Sequence, residues 1–435
     1  MGRQAKGCPE RDTRRPGGPL WPEQPAAYKW PMPERIASRL SCDLLLPDET
    51  KKIRAQVRAV AERDIAPHAR EVGDREESVE SFPWVPFRAL ASADLFRLPL
   101  GPEHGAGLEY RALAAATAVE ELAYVCSSVA TVYDGQCILA GRTVEHGPAR
   151  IRERYLAPLA AGDIVASFAT TEPEASTDLS PERLQTVAER TSAGWVVNGR
   201  KRFITNSPVA DIVVALCRTG RRASFLLIPL KDTPGVTVGP PDKKLGQRGQ
   251  LTADITFDGV ELPEDHLLGE EGEGLKLALS ILTYSRVAIG AAGIGLAQAA
   301  LDIAVEHLST RRAFGKRLGE FQHWQFRMAE HATGIECGRN LYQKAALRID
   351  GGAPVPEPEA AMAKWYCTAL AVDVARDALQ ALGGYGYMRE LAATGQGSKL
   401  EEIYRDTKIG EIYEGANEIQ KWIIARSIFG RDITG

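Results

Sequence analysis

The hydrophobic pattern of the chain changes its period twice, and this change constrains the fold more than any other feature. Between residues 48 and 161, apolar side chains recur at helical spacing. From about 165 to 270 the runs become short and rich in β-branched residues, and turn dipeptides such as Asn198-Gly199 separate them. After Gly274 the pattern is helical again. The sequence therefore predicts helices, then an antiparallel β domain, then a bundle of long helices.

The predicted boundaries divide the chain into a short extension and three larger blocks. The predicted helices cover residues 48–67, 87–98, 110–144, 149–161, 275–311, 320–350, 357–382 and 416–429, and the predicted strands cover residues 165–169, 195–198, 202–205, 212–216, 224–228, 236–238 and 253–257. The blocks are a Pro-rich extension (1–45), an N-terminal helical domain (46–164), a central β domain (165–272) and a C-terminal helical bundle (273–435).

The extension carries three large aromatic residues, Trp21, Tyr28 and Trp30, in a segment with little apolar periodicity. Large rings are costly to leave in water, so we expect them to dock on the protein itself or its oligomer rather than on another partner.

The charge balance limits the classes of ligand. The 435 residues include 53 basic and 57 acidic side chains, a formal charge of −4, and 44% are hydrophobic. This composition is typical of a packed globular protein and provides no global positive field for nucleic acid or an anionic membrane. An anionic ligand therefore has to be held by local groups.

The cysteines and the longest apolar run indicate an intracellular protein. None of the seven cysteines forms a CxxC pair, which favours reduced thiols over disulfides and predicts no metal site. The run from Val287 to Leu301 is shorter than the roughly 20 residues of a membrane helix, so we expect a buried helix and no membrane span. The N-terminus shows no apolar signal core, and a cytoplasmic location is expected.

The polar motifs gain meaning from their order along the chain. Neither GxGxxG after a strand nor GxxxxGK[ST] occurs, so a dinucleotide would not lie on a Rossmann or P-loop scaffold. Instead five segments follow one another: residues 168–178 (FATTEPEASTD), 198–206 (NGRKRFITN), 311–315 (RRAFG), 380–386 (QALGGYG) and 412–420 (IYEGANEIQ).

This ordered set resembles the acyl-CoA dehydrogenase family over about 390 residues, everything after the extension. The resemblance implies a mainly α fold with an N-terminal helical domain, a central β-barrel-like domain and a C-terminal four-helix bundle. It also implies FAD bound between domains and across a subunit interface of a homotetramer or homodimer. The substrate would be an acyl-CoA or an acyl carrier protein thioester of fatty acid metabolism, and an electron-transfer flavoprotein would accept the electrons.

The resemblance assigns the flavin edge to three residues of the β domain. Thr171 would contact the N1 and O2 side of the flavin, Thr205 would contact N5, and the ring of Phe203 would pack on the flavin. Hydroxyl donors fixed at that edge stabilise the charge that develops on reduction. Each residue also has an ordinary explanation, because turns, alternating threonines and a core phenylalanine are common in β domains.

The resemblance places a second group of cofactor residues at the helical bundle. Arg311 would reach the pyrophosphate of a neighbouring subunit's FAD, and cations at a helix C-terminus are also favoured without any ligand. The other residues assigned to the cofactor are Phe314, Gln322, Gln380, Gly384, Ala416, Glu418 and Thr177, the last of which is also assigned to the substrate. Two departures from the family pattern, Ser176 for glycine and Ala416 for threonine, predict altered cofactor affinity.

Glu414 is the predicted catalytic base. Forming a 2-enoyl thioester requires removal of a weakly acidic α-proton while hydride leaves the β-carbon, and a carboxylate serves only if burial raises its pKa. In the family the glutamate of Tyr413-Glu414-Gly415 has this role, with its own backbone N–H in the oxyanion hole. Other branches place the base directly before an arginine on an earlier helix, but here that pair is Ser285-Arg286.

The resemblance assigns the substrate contacts to Arg286, Tyr413 and Gly415, and the acyl pocket to Tyr133 and Asp134 on an earlier helix. Asp134 would meet a polar acyl terminus or, as we favour, face a basic neighbour. Tyr133 would shorten the pocket if it points inward, which predicts a short or modified acyl chain.

Three other activities fit parts of the sequence. An acyl-CoA oxidase would share Glu414 and differ in how oxygen reaches the flavin. A flavin-dependent monooxygenase on the same fold would not need Glu414, and a non-catalytic interaction protein would not need the cofactor motifs. The leading hypothesis is therefore an FAD-dependent acyl-CoA dehydrogenase.

Overall fold

The N-terminal block is helical. The computed structural model describes residues 35–40, 43, 46–175, 177–353, 355–395 and 397–434. Its first helices are α1 (Ala37–Leu40), α2 (Asp48–Val60), α3 (Ala66–Asp74), α4 (Trp84–Ser92), α5 (Arg111–Val125), α6 (Ser127–Tyr133), α7 (Arg142–Val144), α8 (Ala149–Ile151) and α9 (Ala157–Ala161). The predicted helix 110–144 is interrupted at Cys126, which is extended, and winds as a π-helix over Asp134–Gly141. Such stretches often occur at functional sites.

The end of the N-terminal extension packs on the helical domains. The guanidinium of Arg35 lies 3.9 Å from the centre of the Tyr124 ring and donates to Glu121 at 2.7 Å. The backbone N–H of Ile36 donates to Asp302 at 3.2 Å. The prediction for Trp21, Tyr28 and Trp30, and the departure at Ser176, lie outside the described residues.

The central block is a sheet of eight strands. They are β1 (Ala166–Ala169), β2 (Val187–Arg190), β3 (Gly194–Thr205), β4 (Ile212–Thr219), β5 (Arg222–Pro229), β6 (Val236–Val238), β7 (Thr252–Pro263) and β8 (Leu267–Leu268). Their order is β6-β7-β3-β2-β4-β5-β8, with β1 beside β4. The two runs predicted at 195–198 and 202–205 form one strand, β3.

The prediction of purely antiparallel pairing is wrong in one region. β1 pairs with β4 in parallel, and so does β2 at Val187 and Arg218. Parallel neighbours require a long crossover connection, and the chain between β1 and β4 supplies one. The remaining pairs are antiparallel.

The C-terminal block is built around one buried helix. The elements are α10 (Gly274–Thr310), the short hairpin β9 (Arg312–Ala313) and β10 (Lys316–Arg317), α11 (Gln322–Asp350), α12 (Glu357–Leu382), α13 (Gly384–Tyr387), α14 (Lys399–Gly410), α15 (Asn417–Phe429) and α16 (Arg431–Thr434). The sequence pattern missed α1, α13 and α16, which have only four residues each, and α14, which is short and carries several charged residues. It also missed most of α3, because Pro67, the predicted helix end, lies in the first turn of α3, where proline is tolerated.

Helix α10 is long and apolar enough to cross a membrane, but its apolar window is entirely buried inside the protein. Its glycines allow neighbouring helices to approach closely. A Cβ at Gly293 would lie 2.8 Å from the carbonyl oxygen of Cys367 on α12, and one at Gly295 would lie 2.3 Å from that of Glu120 on α5. These contacts bring α5, α10 and α12 together, and the Glu414 loop packs against the last two.

Candidate active site

Glu414 lies in the short loop between α14 and α15, in a conformation that few side chains adopt. Its φ is +54° and that of Gly415 is +87°, both in the left-handed region. Glycine suits position 415 because of this positive φ, and a Cβ there would also displace the Gln420 amide, since it would lie 2.9 Å from Nε2. Gln420 in turn donates to the carbonyl oxygens of Glu414 and Gly415, at 3.3 and 2.8 Å.

The Glu414 carboxyl is half-buried, and this surrounding shapes its chemistry. Burial raises its pKa from 4.5 to about 7, although the nearby cations Arg286 and Lys364 lower it. A carboxyl with a pKa near 7 is ionised in a useful fraction at neutral pH and still strong enough as a base to accept a carbon-bound proton. The position is therefore suited to general base catalysis.

Arg286 connects α10 to this loop. Its side chain is 4% exposed, and Nε donates to the Glu414 carbonyl oxygen at 3.1 Å. Its Nη1 is buried and has no hydrogen-bond partner among the described residues. The structure thus brings Arg286 to Glu414 and leaves one donor of Arg286 available for a ligand.

Asp134 and Ser285 lie behind the base, on the N-terminal domain and on α10. The Ser285 hydroxyl donates to both carboxyl oxygens of Asp134, at 3.2 and 3.0 Å. Burial, together with the neighbouring charge of Glu414, raises the pKa of Asp134 well above its ordinary value. Our favoured expectation of a basic neighbour for Asp134 is therefore wrong among the described residues: the Ser285 hydroxyl is its hydrogen-bond partner, and the charge that acts on it is the carboxyl of Glu414.

Tyr413 and Tyr133 occupy different surroundings. Tyr413 is half-buried beside Gln247 and Thr131, and burial raises the pKa of its phenol. The ring of Tyr133 is fully buried and stacks on Phe96 with 6.0 Å between ring centres. The proposed role of Tyr133 in setting acyl length stays a prediction.

The three flavin-edge residues lie together at the ends of β1 and β3. The carbonyl oxygen of Thr171 accepts from Arg202 N–H at 2.9 Å, next to Phe203. A Cβ at Gly135 would lie 3.1 Å from Cγ2 of Thr205, so Thr205 contacts the segment that carries Asp134. These strand ends and the Glu414 loop therefore share one region of the molecule.

This region has features that fit a flat cofactor. Phe203 has a φ of +58° and is 61% exposed, an unusual conformation that turns a large ring into solvent. Its backbone N–H donates to Oδ1 of Asp254 at 3.4 Å. A ring held in this way provides an apolar surface on which the flavin of FAD can stack.

A buried ion pair under the Thr171 turn was missed by sequence reasoning. Lys201 and Glu172 are both buried, with 2.8 Å between Nζ and Oε1, and Lys201 also donates to the Thr170 carbonyl oxygen at 3.3 Å. Glu172 further accepts from the backbone N–H groups of Gln185 and Thr186, at 2.6 and 3.0 Å. These contacts fix the turn, and both residues stand inside the quoted motifs.

Lys364 was also missed. It is fully buried on α12 and donates to the Gly415 carbonyl oxygen at 2.9 Å and to Asn417 at 3.0 Å. A signal was present, because Lys364 shares a helical face with Cys367 and Thr368 on an otherwise apolar stripe.

The second predicted group is divided. Ala416 stands in the Glu414 loop and Glu418 at the start of α15, whereas Arg311 lies far from that loop within one chain. Arg311 follows the end of α10, about 37 Å along the helix axis from Arg286 at about 1.5 Å per residue. Its guanidinium lies 5.5 Å from the centre of the Tyr385 ring, and Phe314 is 95% exposed. The other members of this group are exposed: Gln322, Gln380, Gly384, Glu418 and Thr177, while Ala416 is half-buried.

Known proteins provide an independent comparison. Family models match the acyl-CoA dehydrogenase N-terminal domain at residues 47–163, the middle domain at 167–260 and the C-terminal domain at 272–429. The mitochondrial short-chain specific acyl-CoA dehydrogenase of Mus musculus is 35% identical over 387 residues, covering 87% of this chain and 90% of the relative.

Solved structures agree with the family models. Butyryl-CoA dehydrogenase from Megasphaera elsdenii superposes with a TM-score of 0.81 at 31% identity, covering 89% of this chain and 100% of that one. A glutaryl-CoA dehydrogenase from Mycobacterium smegmatis in complex with FADH2 superposes with a TM-score of 0.82 at 25% identity, covering 91% and 98%.

Proposed function

The chain belongs to the acyl-CoA dehydrogenase family of FAD-dependent oxidoreductases, and from that premise we propose that it converts a short-chain acyl-CoA to the trans-2-enoyl-CoA, with Glu414 as the base. One observation carries the proposal. The Glu414 carboxyl is half-buried beside the predicted flavin edge, and its pKa is raised to about 7.

The roles of the protein's own groups follow from their contacts. Glu414 accepts the α-proton, and the C–H electrons form the new double bond as hydride leaves the β-carbon. Phe203, Thr171 and Thr205 would hold the flavin of FAD, which when bound would supply the acceptor for that hydride. Arg286 holds the Glu414 carbonyl oxygen by its Nε and has Nη1 free for the substrate arm among the described residues. The raised pKa of Asp134, caused by burial and the charge of Glu414, favours its neutral form, so we expect it not to compete with Glu414 for the α-proton.

The substrate class rests on two arguments. Relatives of this chain are named short-chain and butyryl-CoA dehydrogenases. Tyr133 and Asp134 stand at the positions that the resemblance assigns to the acyl pocket, and a large ring at that position would shorten the pocket. We propose C4 to C8 thioesters of coenzyme A, and greater activity on C12 to C16 thioesters would contradict this.

The assembly and electron acceptor are part of the same proposal. Arg311 is about 37 Å from its own Arg286, so a role at FAD requires a second subunit, as in a homotetramer or homodimer. We propose a cytoplasmic enzyme that passes electrons to an electron-transfer flavoprotein. High hydrogen peroxide yield in air would favour an acyl-CoA oxidase instead.

The test uses Glu414→Gln and butyryl-CoA under anaerobic conditions. The wild-type flavin absorbance should bleach, whereas the variant should bind FAD normally and keep its absorbance. Bleaching by the variant at the wild-type rate would remove Glu414 from the role of base. Failure of both proteins to bleach with any thioester from C4 to C16 would remove the proposed reaction.

A further inference from the structure

Lys364 is the one buried lysine among the described residues that contacts the Glu414 loop. It projects from α12, and its ammonium donates to the Gly415 carbonyl oxygen at 2.9 Å and to Oδ1 of Asn417 at 3.0 Å. Asn417 is held in place by Thr368, one turn further along α12, whose hydroxyl accepts from Nδ2 at 3.2 Å. The lysine therefore ties α12 to the loop and to the first residue of α15.

The loop needs such contacts because its backbone is strained. A non-glycine residue in the left-handed region is disfavoured because its Cβ crowds the following carbonyl oxygen, and the next residue, Gly415, is left-handed too. Donors from three helices converge on the two consecutive carbonyl oxygens of Glu414 and Gly415: Arg286 from α10, Lys364 from α12 and Gln420 from α15. In a trans peptide the C=O and N–H point in opposite directions, so this clamp turns the Gly415 and Ala416 N–H groups away from the helices.

The groups around Lys364 act on its ammonium in opposite directions. Glu414 from the loop, Glu411 beside the end of α14 and Glu418 from α15 stabilise the ammonium, whereas burial and Arg286 disfavour it. The result is a pKa of about 7 for Lys364. Asp134, behind Glu414, brings no positive charge, so the carboxylate form of Glu414 depends on Arg286 and Lys364 for its stabilisation.

We propose that Lys364 is a positioning residue for the catalytic base: its buried ammonium fixes the Gly415 carbonyl and favours the carboxylate form of Glu414 over the carboxylic acid. This inference rests on the proposed role of Glu414. Lys364 acts through the base and touches neither substrate nor cofactor in the arrangement described above.

The test is Lys364→Met, which keeps the apolar stem and removes the charge and the donor. The midpoint of the pH profile of kcat/KM should rise by about one pH unit, because a nearby opposite charge favours the ionised form. Activity with butyryl-CoA should therefore fall several-fold at pH 7 and recover largely at pH 9. A structural defect alone would lower activity equally at both pH values, and that outcome overturns the inference.

A second measurement needs no substrate. The infrared C=O stretch of the protonated Glu414 carboxyl, assigned by its absence in Glu414→Gln, should titrate near pH 7 in the FAD-bound protein and about one unit higher in Lys364→Met. An unchanged midpoint overturns the inference. If Lys364→Met does not purify with FAD, Lys364→Gln, which keeps a donor without the charge, decides by the same measurement.

The matched control is Lys408→Met. Lys408 is exposed near the end of α14 and pairs with Glu411 at 2.6 Å, so its removal changes the same charge close to the loop without touching its carbonyls. The pH midpoint should stay unchanged in this variant. If Glu414→Gln abolishes bleaching while Lys364→Met leaves the midpoint in place, this inference fails and the proposed function stands.

Discussion

Two groups of carboxyls with raised pKa values differ in their surroundings, although Glu414 follows Glu402 and Asp406 closely along the chain. One is the Glu414 cluster, formed by Glu414, Asp134, Ser285, Arg286 and Lys364. The other is the Glu402–Asp406 pair, which shares one face of α14. Burial raises the pKa of Glu402 to about 8, and it also raises the pKa of Asp406. By pKa alone, either group could be identified as a site of proton transfer.

Solvent access and backbone contacts separate the two groups. Glu402 and Asp406 are 7% and 3% exposed, and Asp406 accepts from the Ser127 hydroxyl and from Gln247 N–H. Glu402 is packed against Gly73, where a Cβ would lie 2.4 Å from its Cδ. Glu414 is half-buried, and the donors around it hold its backbone rather than its carboxylate. A raised pKa therefore marks burial in both groups, and what distinguishes Glu414 is a half-buried side chain on a clamped loop.

The largest expected effect contrasts the two glutamates directly. Glu414→Gln should lower the rate of anaerobic bleaching by butyryl-CoA about 10⁴-fold, because the amide accepts no proton. Glu402→Gln should change that rate by less than about twofold, since a sealed carboxyl reaches no substrate. Stopped-flow absorbance of both FAD-bound variants measures this rate. Equal losses of rate in the two variants would show that the two glutamates do not differ in this way.

The next effect concerns stability. The folded-state pKa of Glu402, about 8, lies above its ordinary 4.5, so its stabilising contribution is present below pH 4.5 and is lost as the pH rises through 8. Glu402→Gln has no carboxyl that could ionise, so it removes this loss of stability at higher pH. The variant should gain up to about 4 kcal/mol in free energy of unfolding relative to wild type between pH 5 and pH 8.

Denaturant unfolding at the two pH values measures this difference. The matched control is Glu330→Gln, because Glu330 is exposed on α11 and pairs with Arg327. A gain for Glu402→Gln that is the same at pH 5 and pH 8 would show that the carboxyl is not held neutral in the fold.

A smaller effect tests the cofactor side of the Glu414 region. Phe203→Ala should weaken FAD binding about tenfold without unfolding the protein, because the ring is 61% exposed and its contribution is stacking. Fluorescence titration of the apoprotein with FAD measures the affinity. Phe326→Ala removes a ring of equal exposure on α11, and an equal loss in both variants would deny Phe203 its assigned role.

The smallest effect tests which carboxyl of the Glu414 cluster keeps its proton. Asp134→Asn closely imitates a neutral carboxyl, so the pH midpoint of kcat/KM should move by less than about 0.3 unit. If Asp134 were ionised, its removal would relieve repulsion and lower the midpoint by about one unit. The pH profile with butyryl-CoA distinguishes the two results.

The sequence predicted the parts of the site that stand in ordered motifs. Thr171, Phe203, Thr205 and Glu414 were named from these motifs and Arg286 from the resemblance alone, and the structure brings them into one region. The central sheet was predicted from β-branched runs, but its parallel pairs were not, because strand register is decided by neighbours distant along the chain. Helix α14 was missed for a local reason, because its many charged residues obscured a short apolar face.

Local pattern determined the order of helical and β segments and the position of the Glu414 loop, because periodicity and loop motifs are properties of adjacent residues. Tertiary structure alone decided that Lys364 and Arg286, 51 and 128 positions before their acceptors, would clamp that loop. It also decided that Asp134 would contact the Ser285 hydroxyl instead of a basic residue. Burial and long-range packing set these contacts, and with them the pKa of Glu414, which no stretch of neighbouring residues contains.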